Sequence, residues 1–102
     1  MTKEAQSKIN MEVKDVMKKI NKSNLWKYGS KALRSCSAEV YETDKFYVLR
    51  SYRTIVACIE KETGKLFDGL RYVYGYTATS AQHISKFAED YNASKVLTYK
   101  AV

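Results

Sequence analysis

Apolar positions recur along this chain with two different periods, and the changes of period divide it into elements. Between Thr2 and Asn21, the residues Ile9, Val13, Val16, Met17 and Ile20 follow helical spacing and leave one stripe for burial. Lys14, Lys18 and Lys22 fall on the other side of that wheel, with Lys8 and Lys19 at its flanks and Met11 among them. A second helical pattern lies near the end of the chain. Thr79 and Gln82 have capping-box spacing, and Ile84, Phe87, Ala88 and Tyr91 then repeat at i, i+3, i+4 and i+7. Asn92 is the expected stop for this helix.

The segment between the two helical patterns reads as strands. SAEVYET is a short strand, and ETDK supplies the polar residues of a turn. FYVLRSYRTIVACIE is β-branched and aromatic but too long for one flat strand, so a bend or bulge is expected near Arg50 to Arg53. Lys61-Glu62-Thr63-Gly64 places glycine where a hairpin turn needs positive φ, and KLFDGL returns. Arg71 to Tyr76 is expected to continue the sheet or form its rim, with Tyr72, Tyr74 and Tyr76 sharing one face of an extended run. Lys95 to Lys100 reads as a last strand. Ser23, Asn24, Gly29 and Ser30 argue against a long regular element in residues 22–34. There Leu25, Trp26 and Tyr28 are expected to fold back over an edge of the core, Trp26 as a plug. The pattern predicts an α+β fold, an antiparallel sheet of four to five strands in the order α-β-β-β-(β)-α-β, with an amphipathic amino-terminal helix and a second helix packed on the sheet.

Length and composition add little to this but charge adds more. The 102 residues make one expected domain, with the basic helix at 2–21 and the sheet and second helix at 37–100, and 45% apolar content favours a folded chain. Cys36 and Cys58 are too few for a disulfide framework and read as reduced thiols of a soluble, cytoplasmic protein. No apolar run approaches the roughly 18 residues of a membrane span, so no membrane partner is expected. The net charge is +7, and residues 1–34 hold nine basic against three acidic side chains, so nearly all the surplus lies in the amino-terminal third. That asymmetry points to an anionic partner, either an acidic protein or ribonucleoprotein surface or nucleic acid.

No catalytic set emerges from the residues. His83 is the single histidine and reads as a structural group bonded to a nearby hydroxyl such as Thr79 or Tyr76. Cys36, Cys58 and His83 lack the close Cys-x-x-Cys pairing of a strong zinc site, and GKLFDGL has neither the spacing nor the ending of a phosphate loop. No enzyme, metal, cofactor or small-molecule substrate is therefore expected. The nine tyrosines are a better signal. A row of Tyr72, Tyr74 and Tyr76 near Arg50, Arg53 and Arg71 would either stack on bases or anchor a protein interface.

SYRTIVACIEKETGKLF followed by YGYTATSAQHISKF resembles a pattern in small proteins encoded by phages and mobile elements of Gram-positive bacteria. The matching positions are Ser51, Tyr52, Thr54, Val56, Ala57, Tyr76, Thr79, Ser80, His83, Ile84 and Phe87, with Ala78 a departure. The resemblance covers about half the chain, leaves the basic helix unmatched and carries no site residues. It implies a context in which small accessory proteins bind and block host machinery, including CRISPR effector complexes. The expected function is thus non-enzymatic inhibition of a host defence nucleoprotein, with Lys14, Lys18 and Lys22 for electrostatic contact and Arg50, Arg53, Tyr72 and Tyr74 as anchors. Direct nucleic-acid binding by the same groups is the alternative.

Overall fold

The first helical pattern forms α1, Lys3–Lys22, and its start is set by Thr2, whose hydroxyl accepts a hydrogen bond from the Ala5 amide at 3.1 Å. In this computed structural model, residues 2–33, 35–75 and 77–101 are described, the side chains of Trp26, Ser35 and Cys36 excepted. Val13, Met17 and Ile20 are buried, and Ile9 and Val16 are half-buried beside them, as their spacing requires. Two polar residues, Gln6 and Asn10, extend this stripe. Gln6 Nε2 donates to Asn10 Oδ1 at 2.8 Å and to the Thr98 carbonyl at 2.9 Å. Asn10 exchanges two bonds with the Lys100 backbone, at 2.6 and 3.0 Å, in the manner of a sheet ladder. These amides tie the start of α1 to the far end of the chain.

Six strands form one sheet: β1 Ser30–Leu33, β2 Ser35–Glu42, β3 Phe46–Ser51, β4 Thr54–Glu60, β5 Lys65–Asp68 and β6 Lys95–Thr98. Their spatial order is their sequence order, antiparallel from β1 to β5, with β6 parallel to β5. A parallel neighbour requires the chain to return to the end where β5 began, which needs a crossover. Residues 69–94 supply it as a short helix α2, Leu70–Val73, and a longer one, α3, Ala78–Asp90.

Each face of the sheet carries one long helix. Against α1 lie Tyr41, Val48, Cys58, Phe67 and Leu97, while Ile84 and Phe87 of α3 pack on Val40, Leu49, Val56, Ile59 and Leu66 of the opposite face. Both sides of the central strands are therefore apolar. Val56 to Ile59 are all buried, which explains why this stretch shows no clean alternation.

The structure departs from the sequence pattern at several places. The sheet has six strands rather than four to five, and one neighbour pair is parallel. Residues 22–34 contain β1 after a 3₁₀ turn at Leu25–Lys27; its three outward residues are exposed, so an edge strand with few apolar groups left little periodic trace. Leu25 is buried and Tyr28 packs half-buried against the α1-side cluster, whereas the side chain of Trp26 lies outside the described residues. The long run divides into β3 and β4 at a two-residue turn, with Ser51 opposite Thr54 and Tyr52 at φ 55°. A bulge follows, since Leu49 pairs with Ala57 and Arg50 with Ile55, leaving Val56 extra. Arg71 to Tyr74 is not extended: Tyr72 is inside α2 and Tyr74 caps it, so these two do not form a row, and Tyr76 lies outside the described residues. The cap of α3 is Thr77, whose hydroxyl accepts from the Ser80 amide at 3.3 Å, not Thr79. Thr77 is the last extended residue, so the helix starts two positions early and turns Ser80 and His83 inward.

The two chain-reversal residues behave as read. Asn92 ends α3 at φ 52°, and Gly64 has φ 75°, with any Cβ there 2.9 Å from Ser94 Oγ. Gly64→Ala is expected to cost about 1–2 kcal/mol from the left-handed backbone alone. Urea denaturation of the variant checks this.

Candidate functional site

Where α1 ends over the sheet, it meets the Tyr52–Arg53 turn and encloses a pocket of about 330 Å³. Ile20, Leu25, Tyr41 and Ile55 form an apolar floor, because they belong to the core beneath. Asn21, Ser23, Asn24, Arg50, Arg53 and Thr54 make the polar rim. Among the described residues no carboxylate lines this pocket.

Arg50 is placed by its ladder position opposite Glu39, to which its Nη2 donates at 2.7 Å, and its guanidinium lies 5.8 Å from the Tyr41 ring centroid. Partly exposed ion pairs contribute about 0–1 kcal/mol, so this one orients the arginine more than it stabilises the fold. Its Nε is buried without a hydrogen-bond partner among the described residues. Arg53 sits exposed on the turn, held there by the hairpin.

Tyr74 and Thr54 share a 2.6 Å hydrogen bond between hydroxyls, which ties this exposed tyrosine to the start of β4 without making it a pocket-lining residue. Lys14 lies 5.8 Å from the centroids of both Tyr72 and Tyr99, whose rings pack at 5.3 Å. Tyr72 is thus a half-buried packing group, not a free stacking platform. Lys18 and Lys22 are exposed, and Lys14, Lys18 and Asn21 follow one another along the flank of α1 towards the pocket. Arg50 and Arg53 are brought together, whereas Tyr74 bonds to Thr54 and does not line their pocket; Lys14 and Tyr72 form a separate cluster; Lys22 stays on the outward face. Sequence reasoning missed Asn21 and Thr54. The helical offset of Asn21 from Lys18 was the available signal for the first, and nothing short of the hairpin turn marked the second.

His83 belongs to the other face. Its Nδ1 is 2.8 Å from Ser51 Oγ, which is 2.9 Å from Ser80 Oγ, and all three residues are buried. The partner of Nδ1 is Ser51 of β3 rather than Thr79, since the early start of α3 aims His83 at the sheet, and Tyr76 lies outside the described residues. Burial, and then Lys86, lower its pKa below 6.5. The unfolded imidazole therefore takes its proton first as pH falls, and stability is full above pH 6.5 and declines below it. Thermal midpoints are expected to fall on acidification from pH 7, and His83→Gln to flatten that slope. Cys58 lies in the α1-side cluster, its thiol pushed up to about 12 first by burial and then by Glu60. The sheet separates it from His83, so those two cannot share a zinc ion or act as a nucleophile and base. The side chain of Cys36 is outside the described residues, and among those described no His/Cys/Asp/Glu group could hold a metal.

Fold and site together define a small three-layer α+β domain whose basic helix borders an arginine-bearing pocket. The chain belongs to the DUF8033 family, a family of unknown function, which it matches over residues 5–102, so that α1 is part of the family's own extent. No curated protein and no solved structure matches it. Among the described residues no helix is long and apolar enough to cross a membrane.

Proposed function

We propose that this protein is a non-enzymatic binding protein that docks its basic end on an anionic surface of a host defence nucleoprotein, a CRISPR effector being the partner to which its phage-like motif points. The observation that carries the reading is the convergence of Arg50 and Arg53 with Tyr41 on one pocket that has no carboxylate among its described lining residues, beside the lysines of α1. Arginine and tyrosine are the residues that anchor interfaces, and they act best where an apolar floor excludes water. Direct binding of naked nucleic acid keeps the lysines and arginines as phosphate contacts. It loses Tyr72 as a stacking group, because that ring is engaged with Tyr99 and Lys14.

The test is titration of the purified chain into a purified effector ribonucleoprotein cleaving its DNA target. Inhibition is expected to complete near one copy per effector, with a stable complex in gel filtration. Full cleavage at a large excess, with no complex, would overturn the reading. Fluorescence anisotropy on free DNA and RNA separates the alternative, which requires binding that persists at physiological salt without the effector.

A further inference from the structure

We infer that the pocket between the end of α1 and the Tyr52–Arg53 turn is a phosphate site that receives one nucleotide unit, the phosphate on Arg50 and Arg53 and the base or sugar on the apolar floor. The inference deepens the docking reading above by naming the chemistry its pocket takes, yet it concerns the isolated chain. Three observations carry it. Arg50 lines the pocket with only Nη2 committed, among the described residues, to Glu39, so the fold does not use up its guanidinium donors. Arg53 has no ion pair among the described residues and lines the same rim as Asn21 at the end of α1. Lastly, the cavities around Asp44, Glu60 and Glu62 carry acidic walls, whereas this one carries none among its described lining residues.

The donors arrive from three directions: the helix end, strand β3 and the hairpin turn. A tetrahedral phosphate presents oxygens to all three. A planar carboxylate presents two in one plane, which suits a single bidentate arginine better than this divided set. Ile20, Leu25, Tyr41 and Ile55 would leave a bare ion poorly matched, but they offer a planar base or a sugar an apolar surface. The volume, about 330 Å³, is at the small end of ligand sites, which run from about 300 to 1,000 Å³, and so limits the occupant to one unit.

Isothermal titration calorimetry on the full chain tests this with adenosine 5′-monophosphate, adenosine, inorganic phosphate, a short oligonucleotide with and without a 5′-phosphate, and a glutamate-rich peptide. The monophosphate is expected to bind and adenosine not to. Arg53→Ala, an exposed change, is expected to weaken binding at least tenfold with an unchanged thermal midpoint, and Arg50→Lys, which keeps the charge but removes the guanidinium fork, to weaken it as well. A 5′-phosphorylated strand tighter than the monophosphate would identify a strand end as the source, and equal affinity a free nucleotide; either supports the site. Equal binding of adenosine, preference for the acidic peptide, no phosphate ligand bound at millimolar concentration, or indifference to Arg53→Ala would overturn it. Retained monophosphate binding with no effector complex would remove the docking reading alone, and the reverse result this site alone.

Discussion

Phe87→Ala is expected to lower the unfolding free energy by about 3–5 kcal/mol, the cost of deleting a fully enclosed aromatic ring and leaving a cavity. Phe87 has no exposed surface and sits at the middle of the α3 stripe. Its ring centroid is 5.3 Å from that of Tyr91, which in turn is 4.8 Å from Tyr47 of β3. Helix and sheet are thereby joined through three rings, so truncation of the innermost one removes the support of the others. Domains of this size have only roughly 5–15 kcal/mol in total, so the variant should be partly unfolded at physiological temperature. Urea denaturation decides the matter: the midpoint should drop with the slope preserved. A loss under about 1 kcal/mol would mean that the site collapses around the missing ring far better than core sites usually do.

Reversing Lys14, Lys18 and Lys22 to glutamate together is expected to slow association with an anionic partner by a factor on the order of 10 to 10³, the range over which charge steering acts. Each reversal replaces one positive charge with one negative charge, a change of −2, taking the net charge from +7 to +1. Lys18 and Lys22 are exposed, so the fold should barely register their loss. Lys14 leaves its place over Tyr72 and Tyr99, a cation–π contact of about 0.5–1 kcal/mol at an exposed site. Rates measured by surface plasmon resonance against effector ribonucleoprotein at several salt concentrations separate the effects. The variant should lose most of the salt dependence while its dissociation rate changes little, because the Arg50 and Arg53 anchors are intact. An unchanged association rate would remove the lysines from the interface.

Residues whose environment follows from their own spacing were legible from the start. The α1 stripe of Val13, Met17 and Ile20, the α3 stripe of Ile84 and Phe87, the left-handed Gly64 and the stop at Asn92 all stand where periodicity and turn chemistry put them. Residues that act through a distant partner were not. Gln6 and Asn10 look like surface amides until the backbone of Thr98 and Lys100 arrives to satisfy them. Tyr72 and Tyr74 alternate in a way that suggests a strand, yet Gly69 to Tyr74 close backbone bonds of a helical turn. Four residues of weak alternation could not outweigh the need to turn the chain out of β5 and into its crossover.

Taken alone, the amino-acid order determined the two amphipathic helices, the hairpin strands between them, a last strand at the carboxyl end and the concentration of positive charge in the first third. Those depend on neighbours within a turn or two, where period and propensity act directly. Tertiary structure alone decided that the sheet has six strands with a parallel edge, that His83 and Cys58 face opposite ways, and that Asn21, Tyr41, Arg50, Arg53 and Thr54 line one pocket. The physical reason is common to all three. Each depends on which face of the sheet a helix covers and where it ends, and that is set by the burial of whole stripes against one another, a sum over the entire chain that no local window contains.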